Sequence, residues 1–520
     1  MAYRYLELAI CQTIDWLAAI INNAAADVTL ILANNSVMCV TCCWLFDEFS
    51  REQCQAWAFR GLSRSFCLNK EFHLMRFLAL VPLTLAVSLA HGQTLNEAMQ
   101  SALEVHPEVQ AGINARLSVE EQMKAAKGGY LPQVDLLAGY GREGTDSPGT
   151  RGIRHDTETL TRGESSLRLQ QMVFDGFATS SEVGRQRATV NARAYELLGT
   201  SERTGLSVAQ VYLDVLSRRE LVRLAEDNLA SHERIYDQIS LRSQSGVGRT
   251  ADLDQAEARL AQARNNLITE QTNLADAQVN YFSVVGRDAS ELSKPAGLAG
   301  HLPASLADAR QEMLANNPFL SSAESDVQAS EQQYEAAKSS FYPRFDAELS
   351  RGADNNIDGV SGHSNEWQAM LRMRYNLFAG GSNKADLQSK AHQINQAMDI
   401  RNNALRVLNE DLGLAWNALQ NARQQLPIAE QYVDYSSRVR ESYQKQFSLG
   451  DRTLLDLLDS ENELFSASRR LEEVRFIEVF TQYRIKATMG SLLKSQGVVA
   501  PMAAAPLDEV KAQVNLPGLN

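Results

Sequence analysis

After Met75 this 520-residue chain contains no cysteine; Cys11, Cys39, Cys42, Cys43, Cys54 and Cys67 all precede it. That distribution removes disulfides and thiolate metal sites from the greater part of the chain. Only 12 prolines interrupt the sequence and aromatic residues make up 7% of it, so long helices are expected rather than compact mixed domains. Positive charge is in short supply: 50 Lys and Arg face 63 Asp and Glu, for a net −13. Such a balance argues against a nucleic-acid partner. Catalytic signatures are missing as well, because the eight histidines are scattered and no HExxH, nucleophile elbow or P-loop occurs. Gly359-Val360-Ser361-Gly362 lacks the elbow spacing. No enzyme activity, metal or cofactor is expected.

Met75 opens MRFLALVPLTLAVSLAHGQ, where Arg76 precedes an apolar run from Phe77 to Ala90, and Ala90-His91-Gly92 offers small residues at both specificity positions of a signal-peptidase site. That run is shorter than the roughly 20 residues a membrane span needs. Residues 75–92 therefore read as a signal peptide, with Gln93 first in the mature chain. Residues 1–74, distinct in Cys and Trp content, read as a non-native upstream extension, and Cys39-x-x-Cys42-Cys43 has no second pair at metal spacing. An exported, thiol-free, acidic chain suits a bacterial envelope.

The exported part is written twice. GVGRTADLDQAE begins at Gly246 and GDRTLLDLLDSE at Gly450, so that Gly246, Asp252, Leu253 and Glu257 match Gly450, Asp456, Leu457 and Glu461 at an offset of 204. Phe174 and Gly286 recur as Phe378 and Gly490 at the same offset. His106-Pro107 and the AAKGGYLP from Ala125 recur as Asn317-Pro318 and the AAKSSFYP from Ala336 at an offset of 211, so one length change falls between Pro132 and Phe174. This is a tandem duplication with one variable loop. The first copy is placed at 93–286, with strands about 132–142 and 164–174 and long helices about 178–285. A linker at 287–304 leads to the second copy at 305–490, with strands about 343–352 and 365–378 and long helices about 382–490, before a tail at 491–520.

In the strand regions Val134, Leu136, Ala138 and Tyr140 alternate with Gln133, Asp135, Leu137 and Gly139, and Leu167, Leu169 and Val173 with Arg168, Gln170 and Met172. Phe345, Ala347 and Leu349 alternate with Asp346, Glu348 and Ser350, and the apolar series Trp367 to Leu377 follows the same rule. Period-two patterning suits a soluble sheet over a core or a membrane barrel facing lipid. Trp367 and Tyr375 near the strand ends, together with the export signal, favour the barrel. Four strands cannot close one, and open edges are not tolerated in hydrocarbon. The barrel must be shared: two copies would supply eight strands and three would supply twelve.

Elsewhere Val208, Val211, Val215, Val222, Ala225, Leu229, His232, Tyr236 and Ile239 keep a three-four rhythm. Leu253, Ala256, Leu260, Ala263, Leu267, Leu274, Ala277, Tyr281 and Val284 do the same, as coiled-coil packing requires. The first of these helices would span about 100 Å, which makes the turn at Gly246 a hairpin tip far from the strands.

TLNEAMQSALEVHPEVQ, YLPQVDLLAGY, NLFAGG (Asn376 to Gly381) and GDRTLLDLLDSE, taken in order, resemble the TolC family of outer-membrane efflux proteins from Leu95 to about Leu493. The resemblance implies a mainly α protomer that also builds a membrane β-barrel, with four strands and long coiled-coil helices per chain. It further implies a homotrimer with a twelve-strand barrel in outer-membrane lipid and an α-helical tunnel through the periplasm. Such a channel is a passive conduit; a periplasmic adaptor protein links it to an inner-membrane ABC transporter or proton-driven pump. In the family R-T-x-x-D-x-x-D marks the periplasmic entrance; here it reads Arg452, Thr453, Asp456 and Asp459, so the two aspartates are carried over as the constriction. Three apart, they share one helical face, and threefold symmetry would crowd six carboxylates into one mouth. Without the resemblance, an Asp near a helix N-terminus needs only the dipole to explain it.

The resemblance also assigns tip gating to Arg452, Asp252 and Phe447, and helix termination at the tips to Gly246 and Gly450. Phe447 stands where the best-known member has a tyrosine, and Ala251 replaces a hydroxyl-bearing residue. The expected cargo is protein, adhesins included, exported by a type I secretion system, because no lipid-acceptor cysteine lies near Gln93. A drug-efflux pump is the alternative within the family. A structural coiled-coil envelope protein is the alternative from another class; it explains the heptads but not the amphipathic strands.

Overall fold

The computed structural model describes residues 93–154 and 157–513; the expected upstream extension and signal peptide lie outside the described residues. In chain order the first copy forms α1 (Leu95–Val105), α2 (Pro107–Gly128), β1 (Gln133–Thr145), α3 (Pro148–Arg154), β2 (Glu158–Phe174), α4 (Ala178–Gln244) and α5 (Thr250–Val285). The second forms α6 (Leu306–Asn316), α7 (Pro318–Lys338), β3 (Arg344–Asn355), β4 (His363–Arg374), α8 (Ser382–Leu449) and α9 (Leu454–Thr488), followed by α10 (Leu492–Ser495). Local chemistry sets these boundaries. Thr94 and Glu97 form a capping box at α1, and Pro107 and Pro318 take the first helical position of α2 and α7, where no backbone N–H is needed.

The strands form one antiparallel sheet in the order β1-β2-β3-β4. Its register joins Val134, Leu169, Leu349 and Ala369 in one row and Leu136, Leu167, Arg351 and Trp367 in the next, so the apolar faces of all four strands coincide. Leu136 and Trp367 on that face are each 76% exposed. The opposite face carries ion pairs between Arg162 and Glu143 (3.0 Å), Arg344 and Asp346 (2.9 Å), and Arg372 and Glu348 (3.0 Å). An apolar outside and an ion-paired inside is the division a lipid-facing barrel wall requires. A bulge at Val173 sets Phe174 opposite Phe345. β4 stops at Arg374, although its apolar alternation continues to Leu377; β3 begins at Arg344, the partner of Arg374, and offers nothing beyond it.

Below the sheet stands a wall of helices. α4 and α8, of 67 and 68 residues, run its full height of about 100 Å. α2 and then α5 pack along α4, while α7 and then α9 fill the space between α4 and α8. The wall is thus four helices wide, with α5 and α8 as its lower edges. At mid-height α9 ends where α7 begins: Gly490 has φ +71°, and a Cβ there would meet Pro318 Cδ at 2.6 Å.

The largest core sits at this waist, where Met99, Tyr212, Tyr281 and Tyr483 are fully buried among α1, α4, α5 and α9. The tail, for which sequence offers no role, completes it. Leu492 and Leu493 are buried and donate their N–H groups to the Glu202 carboxylate at 3.0 and 3.3 Å. Asp508 then pairs with Arg187 at 2.5 Å and the Val510 N–H donates to the Tyr195 hydroxyl at 2.9 Å. Residues 491–513 are therefore a strap along α4.

Lower down, α4 buries Leu221, Ala225, Asn228, His232, Ile235 and Ile239. Val222, Leu229 and Tyr236, expected in the seam, are half-buried. A wall helix has a neighbour on each side, so it needs two adjoining stripes, and its most buried residues are those between them. α5 holds one charge in its buried stripe: Glu270 lies between Ala263 and Ala277, with Arg469 of α9 at 3.0 Å and Arg218 of α4 at 4.0 Å.

Candidate functional site

The two hairpin tips lie at the end of the wall remote from the sheet. At the second tip α8 ends on Gly450, whose φ of +86° follows the last turn; its N–H donates to Phe447 O at 3.2 Å and the Asp451 N–H to Gln446 O at 3.0 Å. Two bent-back bonds satisfy carbonyls that the helix end would otherwise orphan. α9 then starts on a capping box. The Thr453 hydroxyl accepts from the Asp456 N–H at 3.3 Å and donates to Asp456 Oδ2 at 2.8 Å, while the Thr453 N–H donates to the same carboxylate at 3.3 Å. Asp456 is thereby held at a helix N-terminus, where its charge is favoured.

Asp459, one turn on, reaches sideways, and its Oδ1 accepts from Arg259 Nη2 of α5 at 2.8 Å. Arg452 lies 4.4 Å from the centre of the Tyr443 ring, donates to Gln446 Oε1 at 3.0 Å, and comes to 3.9 Å from Asp456. Phe447 is buried with Ile239, Leu454 and Leu457 in a tip core, and the Arg242 guanidinium stacks 5.0 Å above its ring.

The first tip is plainer. Gly246 has φ +75°, and Arg249 caps α5 without a side-chain bond. Asp252, in the first turn, is half-buried and has no side-chain partner among the described residues. Within one chain Arg452 meets Tyr443, Gln446 and Asp456, and Asp252 is not among its partners. Arg259, Tyr443 and Gln446 are the residues that sequence reading missed. Arg259 carries no motif, whereas Tyr443 and Gln446 stand at helical spacing before Gly450.

Just above the tips the interior is charged. Burial pushes the Glu461 carboxyl up, against the opposing pull of Arg440 and Arg234. His232 is pushed down by burial, and Arg259 adds to the effect. Among the described residues no group of His, Cys, Asp or Glu is arranged to hold a metal.

A helical wall about 100 Å tall, joined to a sheet with one apolar and one ion-paired face, defines one stave of an outer-membrane channel that extends into the periplasm. The chain belongs to the outer membrane efflux protein family, whose profile matches residues 98–287 and 309–477. Members of that family are transport conduits. The chain is 25% identical over 381 residues to the outer membrane efflux protein BepC of Brucella suis, covering 72% of this chain and 81% of that protein. It is 24% identical over 419 residues to the alkaline protease secretion protein AprF of Pseudomonas aeruginosa, covering 75% of this chain and 83% of that one. Among solved structures it resembles the channel CusC, with a TM-score of 0.67 at 16% identity over 76% of this chain and 91% of that chain. Like BepC, it is an outer-membrane protein.

Proposed function

We propose that three copies close side by side into a twelve-strand barrel over a periplasmic tunnel, the outer-membrane channel of a type I secretion system that exports protein. One observation carries the ring: both layers of the chain end in open edges. Among the described residues β1 and β4 each lack a neighbour on one side, and the wall below ends in apolar stripes, Ile268, Val279 and Phe282 on α5 and Ile400, Val407, Leu414 and Ile428 on α8. Unpaired strand edges in lipid cost several kcal/mol per group, so closure by sister copies is strongly favoured. Asp456 and Asp459 then ring the entrance, with Arg452, Asp252 and Phe447 holding it shut. A periplasmic adaptor and an inner-membrane ABC transporter supply coupling and energy.

Protein cargo is supported by the likeness to AprF, a protease secretion protein, and by a mature chain without a lipid-acceptor cysteine. The drug-efflux reading is favoured by the likeness to BepC, an efflux protein. Deleting the gene separates the two. Loss of a protein from the culture medium with unchanged drug susceptibility supports secretion; hypersensitivity with an unchanged secreted set overturns it in favour of a pump. The detergent-solubilised protein should have a native mass of three copies and conduct ions in planar bilayers.

A further inference from the structure

Gln93, the expected first residue of the mature chain, is docked at the waist. It pairs in parallel with Leu292 of the linker: its N–H donates to Glu291 O at 2.7 Å, and its carbonyl accepts from the Ser293 N–H at 3.2 Å. Two fully buried tyrosines close over it. The Tyr212 hydroxyl of α4 lies 2.7 Å from Gln93 O, and the Tyr281 hydroxyl of α5 donates to Gln93 Oε1 at 3.0 Å. One atom is left out: Gln93 Nε2 is buried and has no hydrogen-bond partner among the described residues. A buried amide nitrogen without a partner is costly, and an amino-terminal glutamine can discard it.

Resting on signal-peptide cleavage after Gly92, we propose that Gln93 is a modification site, where the freed α-amine closes onto its own side chain and seats the amino terminus as a neutral pyroglutamate. The amine nitrogen bonds to Cδ, the Cδ–Nε2 bond breaks, and Nε2 leaves as ammonia with the proton that the amine nitrogen gives up. No oxidant, reductant or second reactant takes part. The lactam keeps one N–H, for Glu291 O, and one carbonyl oxygen, for the Tyr281 hydroxyl. It loses the orphaned nitrogen and the charge of the amine.

The charges around this corner favour that loss. An α-amine is protonated at neutral pH, and Gln93 precedes Thr94, the N-cap of α1, where the helix dipole disfavours a cation. Arg219 of α4 already reaches in, donating to Ala289 O at 2.7 Å. Burial pushes the Tyr281 hydroxyl up to about 12, against the pull of Arg287 and Arg219, so it stays a donor and two guanidiniums face the same place. Lys294 follows Ser293 in the linker. Of the carboxylates, Glu97 accepts from the Thr94 N–H at 3.0 Å and Glu291 is exposed.

Mass spectrometry of the detergent-purified mature protein tests the proposal, with amines tagged on the intact protein before digestion so that cyclisation during work-up cannot mimic the result. The expected amino-terminal peptide starts at Gln93, is lighter by one ammonia and carries no tag on its α-nitrogen. A tagged Gln93 amine overturns the proposal. A peptide that starts at another residue removes it together with the cleavage after Gly92, and the channel reading stands in either case. Gln93→Asn keeps an amide but cannot close the five-membered ring, so its amine should take the tag. That variant should melt below the unsubstituted protein at pH 7, and the deficit should shrink by about pH 9, because the folded chain disfavours the ammonium and the amine is neutral there. No deficit, or one that pH does not alter, overturns the neutral seating.

Discussion

Arg259 of α5 and Asp459 of α9 meet across α4, with Nη2 2.8 Å from Oδ1, although 200 residues separate them in the chain. The link ties together the two short helices that flank α4 near the tips. It also places a guanidinium on one of the two carboxylates proposed for the entrance, so in that proposal the charge there depends on Arg259 as well as on Asp459.

Arg259→Ala should therefore raise cation selectivity, and Asp459→Asn should lower it, as read from reversal potentials under a salt gradient. Asp459 is exposed and Arg259 half-buried, and the pair lies near the surface, so each variant should lose no more than about 1 kcal/mol of stability. Unchanged reversal potentials in both would take Asp459 out of the conduction path.

Glycines at two helix ends should respond differently to alanine. Gly450 has φ +86° with open space around it, so Gly450→Ala should cost about 1 kcal/mol from backbone strain alone. At Gly490 the added methyl would also lie 2.6 Å from Pro318 Cδ and 2.7 Å from Asn316 O, adding about 1–3 kcal/mol of overpacking. Thermal unfolding in detergent should rank Gly490→Ala clearly below Gly450→Ala; equal losses would contradict the close packing at the waist.

Burial pushes the Glu202 carboxyl up to about 7, although two backbone N–H groups from the tail pull it down. Between its ordinary value of 4.5 and that raised value the folded chain binds more protons than the unfolded one. Its contribution to stability therefore falls as pH rises through this window and recovers on acidification. Glu202→Gln should flatten the melting temperature between pH 5 and 7.5 relative to the unsubstituted protein. An unaltered pH profile would show that the carboxyl does not titrate there.

Glu270 is buried, with Arg469 at 3.0 Å and Arg218 at 4.0 Å. Arg469→Ala should cost about 3 kcal/mol, because a buried carboxylate loses its nearer partner. Glu270→Leu combined with Arg469→Met should recover most of that loss. A double variant as unstable as Arg469→Ala would mean that the pair is not what holds α5 to α9.

The sequence alone determined whatever depends on residues a few positions apart. Alternation from Phe345 to Leu349 marked a strand, the three-four rhythm from Leu253 to Tyr281 marked a packed helix, and two offsets marked a duplication, because side-chain direction repeats every 2 residues in a strand and every 3.6 in a helix. Only the tertiary structure decided who meets whom. Leu221, Asn228 and Ile235 are buried in place of Val222, Leu229 and Tyr236 because α4 has neighbours on both sides. Glu202 holds the N–H groups of a tail 290 residues away, Arg452 rests on Tyr443, and Arg259 finds Asp459. No local pattern encodes such partners, since they become neighbours only after helices about 100 Å long have packed in one order.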